Sequence, residues 1–361
     1  MTELDQGASR DGFEVLRPGL LSTVQDRGRA GYQRFGVPVS GAVDQIALRV
    51  GNVLVGNPQN AAVLEITLHG PKLFVLADMV LALTGGEATA TLDGVVVPWY
   101  ESYLARCGQV LDIQGVARGL RTYLSVAGGI DVPVVLRSRS TCLVAKFGGV
   151  HGRALHEGDV LPIGQPTRPL GRLSGWTAPA VWHGRHASPV TLRVVWGPQE
   201  DAFTEEGRRI FVGSTYEVTP HTDRMGCRLH GPVIAHRDSA DIISDWIPLG
   251  GIQVPGDGRP IVLLVDRQTT GGYAKIATVI GPDIPALGQC RPGDAVRFCA
   301  VPLIEAQRVA RDIEAGLAEL PARLIDSDTW SQPAVLGEVP GEIPVGLPNV
   351  AGDAPGAETE P

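Results

Sequence analysis

Ile252-Gln-Val-Pro-Gly-Asp-Gly-Arg-Pro260, Ile261-Val-Leu-Leu-Val265 and Asp266-Arg-Gln-Thr-Thr-Gly-Gly-Tyr-Ala-Lys275 follow one another without a break and decide the fold class. The middle segment is a short apolar run rich in β-branched residues, which predicts a strand. Pro-Gly-Asp-Gly before it is typical of a tight turn, and the glycine pair after it is a second break. The sequence contains 46 glycines and 28 prolines. This pattern predicts a mainly β protein with many turns and short strands.

The same pattern recurs over two long segments of the chain. From residue 12 to 164, short β-branched runs such as Lys72–Leu76 and Thr122–Ala127 alternate with Gly, Pro and Asp. Residues 190–301 repeat this organisation. A chain of 361 residues is long enough to form two hydrophobic cores. We therefore predict an N-terminal β domain at 12–164 and a C-terminal β domain at 190–301.

A few helices are predicted from apolar residues at helical spacing. In the first, Ser40 is the expected N-cap, Val43 to Leu54 carry the spacing, and Gly56-Asn57-Pro58 ends the helix. A possible second helix covers Glu200–Phe211. A third covers residues 303–320, within a C-terminal amphipathic segment at 302–322.

Three segments lack any hydrophobic period. Residues 1–11 form a polar tail, and residues 165–189 form a linker rich in Pro and Arg. Residues 323–361 contain no basic residue after Arg323 and six prolines from Pro333 onward. Such a composition predicts a disordered, Pro-rich acidic tail.

Composition argues against several classes of protein. Apolar residues make up 43% of the chain and charged residues 19%, as in a globular protein. The net charge of −8 argues against a nucleic acid partner, because phosphate binding depends on clustered Lys and Arg. The most apolar stretch, Phe74–Leu83, is too short to span a bilayer, and there is no signal peptide. Five cysteines without a Cys-x-x-Cys pair favour reduced thiols, so we expect a cytoplasmic protein without membrane contact.

The familiar cofactor and nucleophile motifs are missing from the sequence. It contains no Gly-x-Gly-x-x-Gly, no P-loop and no Gly-x-Ser-x-Gly. Gly271-Gly-Tyr-Ala-Lys275 has a glycine pair and a lysine, but its spacing differs from that of a P-loop. His183-x-x-His186 lacks a third ligand at useful spacing, so no metal site is predicted.

Polar residues crowd into the loop that follows the strand Ile261–Val265. Gln268, Thr269, Thr270 and Lys275 offer an amide, two hydroxyls and a cation, and they are our candidate catalytic residues. A lysine there can neutralise negative charge that develops on an oxygen. The glycine pair allows the backbone to approach a ligand closely.

Three further residues of this stretch, Gln253, Asp266 and Tyr273, are candidate substrate-binding residues. A purely structural alternative is that Pro255–Gly258 is only a hairpin turn and Lys275 only a solvated loop tip. The sequence leaves both interpretations open.

A second polar segment, Thr222–Arg228, carries two arginines around a glycine and suits capture of an anion. Arg224 and Asp223 are the candidate ligands in this segment. The alternative is a surface ion pair of Asp223 with Arg224 or Arg228, which contributes only about 0–1 kcal/mol.

The third polar segment runs from Thr23 to Asp44. Its residues are mainly expected to be structural, with a turn at Asp26-Arg27-Gly28. Gln33 and Asp44 are the candidate ligands within it.

In this order, these segments make the chain similar to the KipA / allophanate hydrolase subunit 2 family. The resemblance covers residues 13–300 and rests on an ordered set of motifs. The motifs are Thr23-Val-Gln-Asp-Arg-Gly28, Gly36-Val-Pro38, Ser40-Gly41, Asp44, Leu54-Val-Gly-Asn57, Leu64-Glu65, Gly70-Pro71, Arg224-Met-Gly226, Ile252-Gln-Val-Pro-Gly256, and Gln268-Thr-Thr-Gly-Gly-Tyr273 with Lys275.

The resemblance implies two cyclophilin-like β-barrel domains and a KipI / allophanate-hydrolase-subunit-1-type partner, beside which an active site for a small amide is built. The first activity it implies is that of a 5-oxoprolinase, in which this chain is the C-type subunit and uses ATP through the complex to open a cyclic amide. The alternative is half of a biotin-dependent carboxyltransferase that moves a carboxyl group from carboxybiotin to a urea-like nitrogen. A second alternative is a non-enzymatic regulator that binds a KipI-type protein.

This sequence departs from the family pattern at several positions. Asp223 stands where Asn is usual, Cys227 where Tyr is common, and Ala274 where Pro is usual. Ser244-Asp-Trp246 replaces the usual Ser-Glu-Gly. Trp246 in place of glycine is expected to fill space near the site and to change the substrate.

Overall fold

The computed structural model describes residues 10–184 and 188–326. Residues 1–9 of the predicted N-terminal tail, 185–187 of the predicted linker and 327–361 of the predicted C-terminal tail lie outside the described residues.

The first half of the chain folds into a nine-stranded sheet with the path β2-β3-β8-β4-β1-β9, in which the long strand β5 pairs with β6, β7 and β8. Breaks in the β5–β8 register let this sheet curl. Its strands are β1 (Arg10–Arg17), β2 (Leu21–Gln25), β3 (Val63–Thr67), β4 (Lys72–Val75), β5 (Met79–Leu92), β6 (Val95–Val96), β7 (Ser102–Ala105), β8 (Val110–Val126) and β9 (Val160–Ile163).

Alternating side chains build the core of this first half of the chain, which we call the first unit; the second half is the second unit. In β1, Phe13 and Val15 are fully buried and stand opposite the buried Val75 and Leu73 of β4, while Glu14 lies between them. Successive residues of a strand point to opposite faces. The apolar side chains of β1 and β4 therefore share one face and pack inside the curled sheet. Each such buried side chain stabilises the fold by about 1.5–3 kcal/mol.

The helix α1 (Gln45–Leu54) packs on the outside of this sheet. The prediction that Ser40 caps the helix is wrong. Asp44 is the N-cap, and its Oδ1 accepts from Ala47 N–H at 2.8 Å. Ser40 instead has a positive φ of 54° and donates its own N–H to the Val265 carbonyl of the second unit at 3.0 Å. Both residue types favour N-caps, and tertiary contacts decide between them.

The second half of the chain forms a closed barrel in the order β11-β18-β15-β16-β13-β12-β19, which a parallel β11–β19 pair closes. Phe211 stacks on Phe298 inside its core, with ring centroids 4.5 Å apart. The strands of this half are β10 (Trp176–Thr177), β11 (Val190–Trp196), β12 (Thr215–Val218), β13 (Gly226–His230), β14 (Asp241–Trp246), β15 (Gly251–Gln253), β16 (Ile261–Leu263), β17 (Thr270–Tyr273), β18 (Lys275–Val279), β19 (Ala295–Ala300) and β20 (Ile325–Asp326).

Three α-helices accompany the second half. They are α2 (Glu205–Gly213), α3 (Ile284–Gly288) and α4 (Leu303–Glu319). The helix predicted at Glu200–Phe211 is interrupted, because a 3-10 turn at Glu200–Ala202 precedes α2 and Thr204 caps it by accepting from Gly207 N–H at 2.9 Å. The mainly β fold class, with short helices and a C-terminal helix, is confirmed as one closed barrel and one curled sheet.

The helix α4 ties the two units together. Its Ile313 and Leu317 belong to a core that also contains Leu54 of α1. Arg49 of α1 forms a bidentate ion pair with Glu314, at 2.6 and 2.8 Å. The segment predicted as a linker packs into the same core through buried residues, and its strand β10 pairs with β20.

Two strands stand apart from the barrel and lead to the candidate site. β14 and β17 pair only with each other, with Asp245 opposite Gly271 and Trp246 opposite Thr270. Their register is irregular between Asp241 and Asp245. Within residues 10–184 and 188–326, no helix is both long and apolar enough to span a bilayer.

Candidate active site

Gln253 and Lys275 are cross-strand neighbours at the edge of the barrel. Gln253 ends β15 and Lys275 begins β18, and the antiparallel ladder pairs them. Both residues are buried, with 3% and 1% of their surface exposed. The predicted turn forms after Gln253, with Gly258 N–H donating to the Pro255 carbonyl at 2.9 Å. This turn joins β15 to β16 and so fixes the strand that carries Gln253.

The ammonium of Lys275 is a buried charge that forms no hydrogen bond to any of the described residues. Its Nζ lies 3.2 Å from Asp245 Oδ2, an ion pair whose angles fall outside those of a hydrogen bond. An ammonium carries three N–H donors, and a buried donor left unpaired costs about 1–3 kcal/mol. A ligand acceptor atom that reaches this nitrogen would therefore recover that cost.

Asp245 reaches Lys275 from β14, outside the barrel. Its Oδ2 also accepts from Gln199 Nε2 at 3.4 Å, and its Oδ1 accepts from Trp246 N–H at 2.8 Å. The Lys275 ammonium, the Trp246 N–H and the Gln199 amide lower the pKa of Asp245. The carboxylate is thus ionised at neutral pH. Gln199 Oε1 accepts from the backbone N–H of Lys275 at 3.3 Å, so one amide bridges both members of the pair.

Gly271 is the point at which the side-chain amides of the site meet. A Cβ atom at Gly271 would lie 2.9 Å from Gln253 Nε2, 3.6 Å from Gln268 Nε2 and 2.8 Å from Ile247 Cδ1. Gln253 Nε2 also lies 3.5 Å from the Tyr273 carbonyl, to which it donates. Only glycine leaves this space open, so the structure brings the amides of Gln253 and Gln268 together at Gly271, with Gln253 opposite Lys275 in the ladder.

The remaining predicted residues of this loop lie on the open side of the site. The Thr269 carbonyl accepts from Ile247 N–H at 3.0 Å. Gln268, Thr270 and Tyr273 are exposed. Trp246 is also 65% exposed and lies opposite Thr270, at the rim of the site.

Arg267 is a buried cation that was not singled out from the sequence. Its Nε donates to the Ile247 carbonyl at 3.0 Å and its Nη1 to the Leu264 carbonyl at 3.1 Å. No carboxylate of the described chain forms an ion pair with it, and burial lowers its pKa to about 10. Two carbonyl oxygens therefore hold the Arg267 guanidinium in place.

Arg224 and Asp266 lie in a buried ion network between the two units. Arg224 Nε donates to Asp266 Oδ2 at 2.8 Å, its Nη2 to the Gly41 carbonyl at 2.8 Å, and its Nη1 to Glu65 of β3. Burial lowers the pKa of Arg224, but Glu65 and Asp266 outweigh this effect and raise it overall. All three guanidinium nitrogens are used, which makes this arginine a link between the units.

Asp44 belongs to the same interface. Besides capping α1, its Oδ2 accepts from Gln289 Nε2 of the second unit at 2.9 Å, and its backbone N–H donates to Tyr123 Oη at 2.8 Å. Tyr123 in turn donates to Glu65 at 2.8 Å. Burial and the Glu65 carboxylate raise the pKa of Tyr123, so this hydroxyl remains a donor.

Gln33 and Asp223 have local partners. Gln33 lies in a 3-10 turn of the first unit, where its Oε1 accepts from Gly31 N–H at 2.9 Å. The exposed Asp223 accepts from the N–H groups of Met225 and Gly226 at 2.7 and 3.1 Å and so forms a turn before β13. Neither side chain forms a described bond with the cluster around Lys275.

A separate cavity of about 300 Å³ lies between the units. Asp44 lines it, but none of the residues around Lys275 does. No group of three His, Cys, Asp or Glu residues suitable for a metal ion occurs in residues 10–184 and 188–326, and His186 lies outside those ranges.

Comparison with known proteins places this architecture in the carboxyltransferase class of domains. The family described as "Carboxyltransferase domain, subdomain A and B" matches residues 35–300, and the chain belongs to this family. The resemblance expected from the sequence motifs is thereby confirmed.

The chain is similar to two kinds of relative in this family, a 5-oxoprolinase subunit and a urea amidolyase. The chain is 37% identical over 312 residues to the C-type subunit of 5-oxoprolinase from Escherichia coli (strain K12), a match that covers 86% of this chain and 98% of that protein. It is 32% identical over 332 residues to urea amidolyase of Lachancea kluyveri, which covers 85% of this chain and 18% of that protein. The chain thus spans nearly the whole of the first relative and less than a fifth of the second.

Solved structures agree with this comparison. The crystal structure of the K. lactis urea amidolyase matches with a TM-score of 0.82 at 32% identity, over 88% of this chain and 20% of that one. The crystal structure of TTHA0988 matches with a TM-score of 0.72 at 36% identity, over 82% of this chain and 57% of that one. The chain therefore corresponds to a part of each of these longer proteins.

Proposed function

We propose that this chain is the C-type subunit of an ATP-dependent, 5-oxoprolinase-like amidohydrolase that opens a small cyclic amide together with a KipI-type protein. The carrying observation is the buried Lys275 ammonium, which lacks a hydrogen bond partner in the described chain and lies at a cluster of side-chain amides. The match over 98% of a protein named as the C-type subunit of 5-oxoprolinase supports this assignment. On this proposal the chain is part of a multi-subunit enzyme in the cytoplasm.

Opening an amide ring places negative charge on its carbonyl oxygen. Lys275 can stabilise that charge at once, because its N–H donors are already fixed in a buried position. Gln253 and Gln268 can orient the amide by neutral hydrogen bonds from their Nε2 atoms. Asp245 keeps a negative charge beside the ammonium and so favours its charged form.

ATP is supplied to this reaction by the complex. The sequence has no P-loop, and the described residues contain no cluster of carboxylates that could hold a nucleotide-bound metal ion. The residues around Lys275 do not fit a metal-bound nucleotide, and we derive no step of this chain through it.

A carboxyltransferase half is the second candidate, because the urea amidolyase structure matches over 88% of this chain. The Lys275 ammonium, which forms no hydrogen bond to the described residues, fits the oxygen of a ureido or urea-like group equally well. Biotin, when bound, would carry the carboxyl group in this alternative. Consumption of carboxybiotin on addition of a urea-like amide, without release of glutamate from 5-oxoproline, would select it over the first candidate.

The test is a reconstitution. The purified chain is combined with its co-purifying KipI-type partner, the remaining subunits and ATP, and glutamate released from 5-oxoproline is measured. Lys275→Met should lower turnover by about 10²–10³-fold, as expected for loss of one oxyanion-stabilising donor. The matched control is Lys146→Met, since Lys146 is exposed on the first unit. Absence of glutamate release from the complete wild-type mixture would refute the proposal.

A further inference from the structure

We infer that Asp245 determines substrate specificity, since together with Lys275 it recognises the N–H and C=O groups of a cis amide. This inference rests on the proposed function and names the chemical feature by which the amide site selects its substrate. Neither the family motifs nor the names of the relatives assign a role to Asp245, which stands in Ser244-Asp-Trp246, where the sequence departs from its family.

The pair presents one acceptor and one donor side by side, with Asp245 Oδ2 and Lys275 Nζ 3.2 Å apart. In a lactam or a ureido group, the carbonyl oxygen and the N–H lie on the same side of the C–N bond. In an ordinary peptide they lie on opposite sides, because the peptide bond is trans. Neighbouring donor and acceptor groups therefore match a cis amide and cannot bind both groups of one trans amide.

The contact between the two side chains must open for an amide to insert, because its two atoms lie 3.2 Å apart and the ammonium nitrogen is buried. Its angles are not those of a hydrogen bond, and the other contact of Asp245 Oδ2, to Gln199 Nε2, is long at 3.4 Å. Asp245 lies on β14, outside the barrel, next to an irregularity in the β14–β17 register. Its side chain is 36% exposed. An outward movement of Asp245 lets the amide oxygen bind Lys275 while the amide N–H donates to the carboxylate.

The neighbouring groups cannot replace Asp245 in this role. Among the described residues it is the one carboxylate within ion-pair distance of Lys275. Gln253 and Gln268 direct their Nε2 donors at the Gly271 face, and their Oε1 acceptors are neutral, so neither supplies a charged acceptor for an N–H. A lactone would place its ring oxygen against the carboxylate, where two acceptors repel each other. The pair therefore selects lactams and ureido groups over esters of the same shape.

The experiment compares binding of two probes by the full chain in its co-purified complex without ATP, using calorimetry. The probes are 5-oxo-L-proline and its lactone analogue, tetrahydro-5-oxofuran-2-carboxylate, in which oxygen replaces the ring N–H. Wild type should bind the lactam at least about tenfold more tightly, as expected for one hydrogen bond to a charged acceptor. Asp245→Ala should reduce this preference to less than about twofold, and Asp245→Glu should restore part of it.

Asp241→Ala is the matched control, because Asp241 is an exposed aspartate on the same strand. It should leave the preference unchanged. Two results overturn the inference: an equal preference in wild type and Asp245→Ala, or no preference in wild type. A complex that opens the lactam but shows either result refutes the role of Asp245 and leaves the proposed function standing. A complex that selects the lactam through Asp245 but releases no glutamate refutes the proposed function alone.

Discussion

Replacement of Arg224 by methionine tests whether the buried ion network holds the two units together. The change removes a guanidinium that is 5% exposed and lies between the carboxylates of Glu65 and Asp266, both almost fully buried. Glu65 then keeps only the more distant Arg121, 3.9 Å away, among its ion-pair partners in the described chain. Removing one member of a buried ion pair costs about 3–5 kcal/mol, because the remaining charge is left uncompensated. At about 2 °C per kcal/mol for a chain of this size, the melting temperature should fall by roughly 6–10 °C.

The effect should depend on pH in a defined direction. In the wild type, burial raises the pKa of Glu65, but Arg224 and Arg121 outweigh it and hold the pKa below its ordinary value of 4.5. This group therefore stabilises the native state above pH 4.5, and its contribution is lost as the pH falls through the lower native pKa. Without Arg224, the largest cause that opposes burial is lost, so the pKa of Glu65 should rise above its wild-type value. The variant then loses less stability on acidification than wild type does, so its deficit relative to wild type should be smaller at pH 5 than at pH 7.

The assay is thermal unfolding at both pH values, with two further variants. Arg228→Met is the control, because Arg228 is exposed on β13, which begins two residues after Arg224. The double variant Glu65→Gln with Arg224→Met should be more stable than Arg224→Met alone, since one uncompensated charge is removed. Three results would refute the reasoning. They are a loss of less than about 1 kcal/mol in the free energy of unfolding of Arg224→Met, an equal loss at both pH values, or additive effects of the two substitutions.

Three further predictions concern the site and the helix α4. Gln199→Met removes the amide that bridges the ion pair, so the pKa of Asp245 should rise, measured by NMR titration of its carboxyl carbon. Gly197→Ala places a Cβ 2.3 Å from the Lys275 carbonyl, and the backbone clash should lower the melting temperature and slow any turnover. Arg49→Met breaks the bidentate pair with α4 and should cost about 1–2 kcal/mol in chemical unfolding.

Each of these has a contradicting result, and the first two have a matched control. Glu200→Gln lies beside Gln199 and should leave the carboxyl titration of Asp245 as in wild type, so an unchanged titration in Gln199→Met contradicts the bridge. Gly213→Ala, where a Cβ meets nothing within 4 Å, should be tolerated. Equal melting temperatures of Gly197→Ala and Gly213→Ala would contradict the clash. Arg49→Met as stable as wild type would mean that the ion pair with α4 contributes nothing.

The sequence predicted the fold class because its signals are local. Turn residues and alternating strands are visible in short windows, and the turn at Pro255–Gly258 forms as its residues indicate. The predicted N-cap of α1 was wrong because Ser40 and Asp44 are both residues that favour the N-cap position. The choice depends on a hydrogen bond from Ser40 to Val265, more than two hundred positions away.

The candidate site was only partly visible in the sequence. Gln253 and Lys275 could be proposed because they flank one strand, whereas Asp245 and Gln199 reach the ammonium from other elements. The sequence feature that came closest to indicating Asp245 was the departure from the family pattern at Ser244-Asp-Trp246. That departure drew attention to Trp246 and not to the carboxylate beside it.

Arg224, Asp266 and Asp44 illustrate the opposite limit. Polar residues in a motif can bind a ligand or bind each other, and only the tertiary structure distinguishes the two. Here their partners are Glu65 and Gln289 across the interface. Whether any of them also contacts a substrate stays a prediction.

The packing of α4 on α1 has a consequence for the order in which the protein is made. Leu54, in the first unit, shares its core with Ile313 and Leu317, which leave the ribosome more than 250 residues later. The curled sheet can form early in synthesis and cover one side of α1, but the apolar face that α1 turns toward α4 stays uncovered until α4 has emerged. A nascent chain that stalls before α4 therefore exposes that face, and chaperone binding to such stalled chains should end once α4 is added.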